Sequence, residues 1–279
     1  MSTGNNRIDD RLRTIADIII SKKPAVKLVC DVGTDRALLP CYLLPGGFRG
    51  RIIASDVNDG PLESARENIS ANGFRCVDSV DDFAGSYENT VTLIKSDGVS
   101  AYGGFLTAEP ENPCDIVIAG MGGETILRIM TDFLNSQAQN AAGSRDFANI
   151  RFILQPMTKA ERLRAGLYGN GFTIRREVTA EAAGRIYTII EAAVLSPSAL
   201  YENLDENLDE NHPRKSAGRC PPGKHCGNDV PGIVFAFSGK NRDPRYLRMQ
   251  AEKLRKMAHS DKIYAEAADA IQLMTDNSG

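Results

Sequence analysis

Asp31, Val32, Gly33, Thr34 and Asp35 form the end of an apolar run and the turn after it, and similar punctuation returns four more times along the chain. Asp56 closes the run Arg51–Asp56, and Ser96-Asp97-Gly98 follows Val91–Lys95. Ala119-Gly120-Met121-Gly122-Gly123 ends Asp115–Ala119, and Gln155-Pro156-Met157 ends Arg151–Gln155. Acids and glycines placed this way can bind ligands, because open α/β sheets hold them beyond the carboxyl ends of their strands. Gly33 would let the backbone approach closely, while Asp31 could hold a cationic amine. Asp56 could accept bonds from ribose hydroxyls, and Asp97-Gly98 could meet the amino group of an adenine. The glycine run would expose backbone amides and leave room for a flat base, with Gln155 bordering the same pocket. Plainer readings stand beside these. Asp31–Asp35 could be an ordinary strand-to-helix turn, Asp56 a charge on the next helix, Asp97-Gly98 a turn, and the glycine run close packing.

The first motif carries one glycine, so it is not the G-x-G-x-x-G run that cradles a pyrophosphate at a helix N-terminus. An acid beside one glycine suits the ammonium of S-adenosylmethionine better than NAD; Asp56 serves either. All three histidines (His212, His225, His259) lie outside the core pattern, which disfavours a hydrolase whose nucleophile needs a histidine base. Cys220 and Cys226 flank His225, with His212 upstream, but their spacing is poor for zinc and no metal is expected.

The elements that must position these residues follow from periodicity. Ile8, Leu12, Ile15 and Ile19 mark an amphipathic helix. Strands are expected at Val26–Val32, Arg51–Asp56, Val91–Lys95, Asp115–Ala119, Arg151–Gln155, Phe172–Val178 and Arg185–Val194. Pro61 opens one helix and Asn72-Gly73 stops it, another begins near Glu124, and Thr158 to Glu161 has the form of a capping box for a helix reaching Leu167. Strands alternating with helices give a parallel sheet, and the last two strands, with no helix between them, give an antiparallel edge hairpin. That is an α/β pattern, and it suits the Rossmann-like fold of a class I methyltransferase better than that of a nucleotide-binding dehydrogenase. Beyond it, Asp243-Pro244 starts a helix with Leu247, Ala251, Leu254 and Ala258 on one face, and Ile263, Ala267, Ile271 and Met274 repeat the spacing. The domains read as 1–195, a polar insertion at 196–231 built around the acidic repeat Glu202–Asn211, and a small helical domain at 232–279.

The 279 residues are 42% hydrophobic and 25% charged, with a net charge of −3, as in an ordinary globular protein. Neither an apolar run long enough for a bilayer nor a secretory h-region is present, so a cytoplasmic protein is expected. Six scattered cysteines in such a chain argue against a disulfide scaffold. The negative balance leaves room for a local basic face. Between Gly239 and Lys262, eight Lys and Arg residues face only Asp243, Glu252 and Asp261.

In order, DVGTDRALLP (Asp31–Pro40), DVNDGPLESARENI (Asp56–Ile69), SDGV (Ser96–Val99), VIAGMGGETI (Val117–Ile126) and LQPM (Leu154–Met157) resemble the TrmK-type family of bacterial tRNA (adenine-22-N1) methyltransferases. The resemblance runs from about Arg11 to Val194. It implies an S-adenosylmethionine-binding domain and a coiled-coil-like tail that helps grip tRNA. By motif, Asp31 and Gly33 would face the methionine end, Asp56 the ribose and Asp97-Gly98 the adenine. Gly120, Met121 and Gly122 would line the junction with the substrate base, Gly120 also touching the cofactor. Asp35 is the acid assigned to steady charge on the base, with Asp31 and Asp97 as alternatives. Arg245, Arg248, Lys253 and Lys256 are the expected tRNA contacts, pointing outward together. No obligate protein partner is evident. Two departures stand out: Arg36 occupies the place where the family's motif has histidine, and the insertion is unusual. The competing functions are a class I methyltransferase for a small molecule or protein, and a non-catalytic module that binds S-adenosylmethionine and RNA.

Overall fold

The computed structural model describes residues 8–79, 88–99, 102, 111–139, 147–195, 243–258 and 262–276. The insertion at 196–231, with its cysteines, and the apolar run that follows lie outside the described residues. So do His259 and the basic residues Lys240 and Arg242.

Helix α1 (Asp10–Ile20) is capped by Asp9, whose carboxylate accepts from the backbone N–H groups of Arg11 and Leu12. It buries Ile15, Ala16, Ile18 and Ile19. Then come β1 (Leu28–Val32), α2 (Leu38–Leu43), β2 (Arg51–Asp56), α3 (Asp59–Ala71), β3 (Arg75–Val77) and β4 (Thr90–Lys95). The second half of the sheet domain runs β5 (Cys114–Gly122), α4 (Gly123–Gln139), β6 (Ile150–Thr158), α5 (Ala160–Gly169), β7 (Phe172–Ala182) and β8 (Arg185–Val194).

These strands form one eight-stranded sheet in the order β3-β4-β2-β1-β5-β6-β8-β7. All pairings from β3 to β6 are parallel, and β8 pairs antiparallel with both β6 and β7. The expected edge hairpin is therefore present. Its two-residue turn, Ala183-Gly184, has positive φ at both positions, which matches the twist of the strands it joins. Consecutive strand residues serve opposite faces. Val29, Ile52 and Val117 pack beneath α1, α2 and α3, while Cys30, Ile53, Ile116 and Ile118 pack against residues of α4 and α5.

Two local expectations are corrected. The glycine run does not follow β5 as a loop; the strand continues to Gly122 and α4 starts at Gly123. Thr158 to Glu161 is not a capping box either. Thr158 stays in β6, where it pairs with Gly122, and α5 is entered through Lys159 in a left-handed conformation with no side-chain cap. Glu161 is instead buried, at 2% exposure, and accepts from Lys253 Nζ at 2.9 Å.

That contact belongs to the tail. Helices α6 (Pro244–Met257) and α7 (Lys262–Asp276) bury Tyr246, Leu247, Ala251, Leu254, Tyr264, Ala267, Ala268 and Ile271 together, against Ala165 of α5 and Ile186 of β8. Asp243 caps α6 and also accepts from the Thr179 hydroxyl at 2.9 Å. Deeper, the Arg164 guanidinium of α5 binds Glu177 of β7 bidentately at 2.7 Å and donates to the Tyr246 hydroxyl at 2.7 Å. Among the described residues, no helix is long and apolar enough to cross a membrane.

Candidate functional site

The sheet order reverses between β1 and β5, and the crevice above that switch point is where open α/β sheets bind ligands. Asp31, Gly33 and Thr34 sit on one side of it, the glycine turn on the other. The Gly33 and Thr34 amides donate to Ser55 O at 2.9 and 2.8 Å, which ties the loop after β1 to the end of β2. Gly33 has φ +72°, and a Cβ there would come within 2.1 Å of Met121 Cε. The close approach that Gly33 permits is therefore made, in the first place, by the Met121 side chain reaching across the switch point.

Asp31 is 6% exposed. Burial pushes its carboxyl up from 3.8 to about 6, opposed by the Thr34 hydroxyl and assisted by repulsion from Asp56. The Thr34 hydroxyl donates to Asp31 Oδ2 at 2.6 Å. A carboxylate held at this cost gains from a cationic neighbour, so the site fits an ammonium group. Asp56 ends β2 and accepts from the Asn58 N–H at 3.0 Å, while its own carbonyl accepts from the Ser96 N–H at 3.0 Å. Asp97 pairs with Arg128 at 3.2 Å, and Gly98, at φ +63°, packs over Ile129 of α4. The three strand-end acids thus line neighbouring strands β1, β2 and β4.

Gly120 has φ +79° and nothing within 4 Å of where a Cβ would lie, so it, rather than Gly122, carries the open space over the turn. A Cβ on Gly122 would be in ordinary contact with Thr158, whereas one on Gly123 would lie 2.4 Å from the Lys159 carbonyl oxygen. Gly120 falls at a bulge, since Ala119 pairs with Gln155 and Met121 with Pro156. Its N–H donates to Gln155 Oε1 at 3.2 Å.

Asp35 stands 70% exposed beside Arg36, the two charges 3.6 Å apart. In the tail, the expectation of four cations pointing outward together is corrected in part. Arg245 reaches Glu181 of β7 at 3.4 Å, and Lys253 pairs with Glu161. Both are exposed but engaged with the sheet domain, whereas Arg248 and Lys256 are exposed on the same helix. One residue beneath the site escaped sequence reasoning: Tyr102, fully buried, shares a 2.5 Å hydrogen bond with the Ser55 hydroxyl. No periodicity marks it. Among the described residues, no cluster of three His, Cys, Asp or Glu side chains could hold a metal.

A family model described as a methyltransferase domain matches residues 8–190, which reach from α1 into β8 and include the switch point and all five motifs. The chain belongs to the methyltransferase domain family. Its methyltransferase domain and tail together resemble the tRNA (adenine(22)-N(1))-methyltransferase of Bacillus subtilis, with 25% identity over 264 residues, 95% of this chain and 87% of that protein. The crystal structure of the B. subtilis m1A22 tRNA methyltransferase TrmK matches with a TM-score of 0.60 at 21% identity, covering 99% of this chain and 100% of that one. M. capricolum TrmK, solved with S-adenosyl-homocysteine, matches with a TM-score of 0.54 at 18% identity, covering 96% and 98%. At such identities the two structures speak for the fold alone. The TrmK-type resemblance carried by the motifs agrees with all three.

Proposed function

We propose that the protein transfers the methyl group of S-adenosylmethionine to N1 of an adenine in tRNA, at position 22. The observation that carries the reading is an open, left-handed glycine at the carboxyl end of β5, across the switch point from a buried carboxylate. The near-full-length likeness to the B. subtilis enzyme, tail included, supports the same reading.

When bound, S-adenosylmethionine supplies an electrophilic methyl group on a sulfonium. Asp31 would take its ammonium, Asp56 its ribose hydroxyls, and Asp97 with Gly98 its adenine. Gly33 and Met121 would border the methionine end, and Gly120 to Gly122 would leave the face on which the target base lies. Adenine N1 already has a lone pair, so the chain's task is alignment, which can contribute roughly 7–11 kcal/mol in favourable cases. Extruding the base from folded tRNA costs a few kcal/mol, which the grip on the rest of the RNA must offset. Asp35 is assigned to the positive charge that develops on the base. Its exposure and its pairing with Arg36 screen it, so positioning carries most of the rate. Arg248 and Lys256 are the first RNA contacts on α6, with Arg245 and Lys253 shared between RNA and the sheet domain.

The test is a methylation assay with full-length protein, labelled S-adenosylmethionine and an unmodified tRNA transcript, read by nucleoside mass spectrometry and primer extension. One 1-methyladenosine at position 22 is expected. A protein that binds S-adenosylmethionine but leaves tRNA unlabelled overturns the substrate; labelling of another nucleotide overturns the position.

A further inference from the structure

Arg11 lies on the N-terminal helix, 144 residues from the strand it reaches. Its Nη1 donates to Gln155 Oε1 at 3.0 Å and to Met157 Sδ at 2.9 Å. Its Nε donates to Asp9 Oδ2 at 2.9 Å, and Nη2 binds the same oxygen. The guanidinium also lies over the Tyr187 ring, 4.9 Å from its centroid. Asp9 therefore does two things with one carboxylate, capping α1 and clamping Arg11 so that the remaining edge of its fork faces β6.

The partner at that edge is the residue that secures the glycine turn. Pro156 has no N–H, and the bulge at Gly120 takes the Gly120 N–H out of the regular β5–β6 register. Gln155, 1% exposed, receives that N–H on Oε1 and donates Nε2 to Pro156 O at 3.0 Å. An amide can be turned end for end at little steric cost. Here the turned form would set its NH2 against two donors, Gly120 N–H and a guanidinium. The cation makes that form strongly unfavourable in a buried site.

We propose that Arg11 is a positioning residue for methyl transfer, which selects the Gln155 orientation that pins Gly120 and so sets the open surface where the target base lies. This rests on the methyl-transfer reading of the site, but the clamp itself has an independent readout. Hydrogen exchange of the Gly120 amide, resolved by residue in the full-length protein, reports the Gln155 bond whether or not tRNA is a substrate. Losing one such bond corresponds to about tenfold. Arg11→Met removes both the donor and its charge, so Gly120 should exchange about tenfold faster while Gly98 is unchanged. The same variant should lose about tenfold in kcat, with KM for tRNA and affinity for S-adenosylmethionine within threefold. Gln155→Leu should reproduce both effects, and the double variant should add nothing to either single one. Parent-like exchange at Gly120 in Arg11→Met, or losses that multiply in the double variant, would overturn the proposal. A parent enzyme that leaves tRNA unmethylated would overturn the functional reading alone, and Gly120 exchange would still decide the clamp.

Discussion

Replacing Asp31 by Asn removes the charge that the fold buries while leaving an acceptor for the Thr34 hydroxyl. The carboxyl is displaced from 3.8 to about 6, chiefly by burial. Because the folded value is raised, the folded state binds this proton more tightly than the unfolded chain does. Its contribution to stability is complete below pH 4, declines as the pH rises through 6, and is gone above 7. Each pH unit of displacement is worth about 1.4 kcal/mol, so holding Asp31 ionised at pH 8 costs the fold about 3 kcal/mol, and about half of that is already felt at pH 5. Asn carries an amide burial of its own, but that is the same at every pH. The gap in unfolding free energy between Asp31→Asn and the parent should therefore grow in favour of the variant by about 1.5 kcal/mol from pH 5 to pH 8. Urea unfolding at both pH values, without cofactor, measures it; taking the difference cancels every other titrating group. Calorimetry on the same samples should show S-adenosylmethionine binding weakened at least about tenfold, since its ammonium would lose a buried anion. A gap that stays constant with pH would refute the assignment of the buried acid. A variant that binds the cofactor as the parent does would remove Asp31 from the site.

Gly123→Ala should cost more than about 2 kcal/mol in thermal unfolding, because its Cβ would meet the Lys159 backbone at 2.4 Å. Gly120→Ala points into open space, so it should cost only about 1 kcal/mol of left-handed strain and show its damage in turnover instead. Tyr246→Phe deletes the hydroxyl on the buried Arg164 and should cost about 1.5–3 kcal/mol, with faster proteolysis of the tail. Lys253→Ala should destabilise by about 1–2 kcal/mol by stranding the buried Glu161, whereas Arg248→Glu with Lys256→Glu should leave the melting temperature unchanged. That pair should instead weaken tRNA binding, and flatten its log–log salt dependence by about 2 in filter binding.

Most of the sheet was legible because its strands are apolar on both faces and end in acids or glycines, and the tail because its apolar spacing is regular. α2 was not. Leu38–Leu43 is apolar on nearly every side, contains Pro40, and is entered through a left-handed Ala37 without a polar cap, so neither periodicity nor a start signal marks it. β3, with three residues at the sheet edge, is too short to carry a pattern. Thr158 to Glu161 misled because local spacing cannot say that Gly122 holds Thr158 in a strand, or that Glu161 answers a lysine 92 residues away. The acids of the site were found at strand ends, as the topology demands. Arg11, Tyr102 and the role of Gln155 were invisible for one reason: each acts through a partner that only the folded chain brings near.

Helix α5 touches both halves of the proposed task. Its entry residue, Lys159, backs onto the start of α4 at Gly123, and its next turns hold the tail through Glu161 and Arg164. Lys159 to Arg164 spans about 7.5 Å along the axis, so both connections fall in the first half of α5. On the tRNA reading, one short segment joins the turn beside the target base to the helices that would hold the RNA.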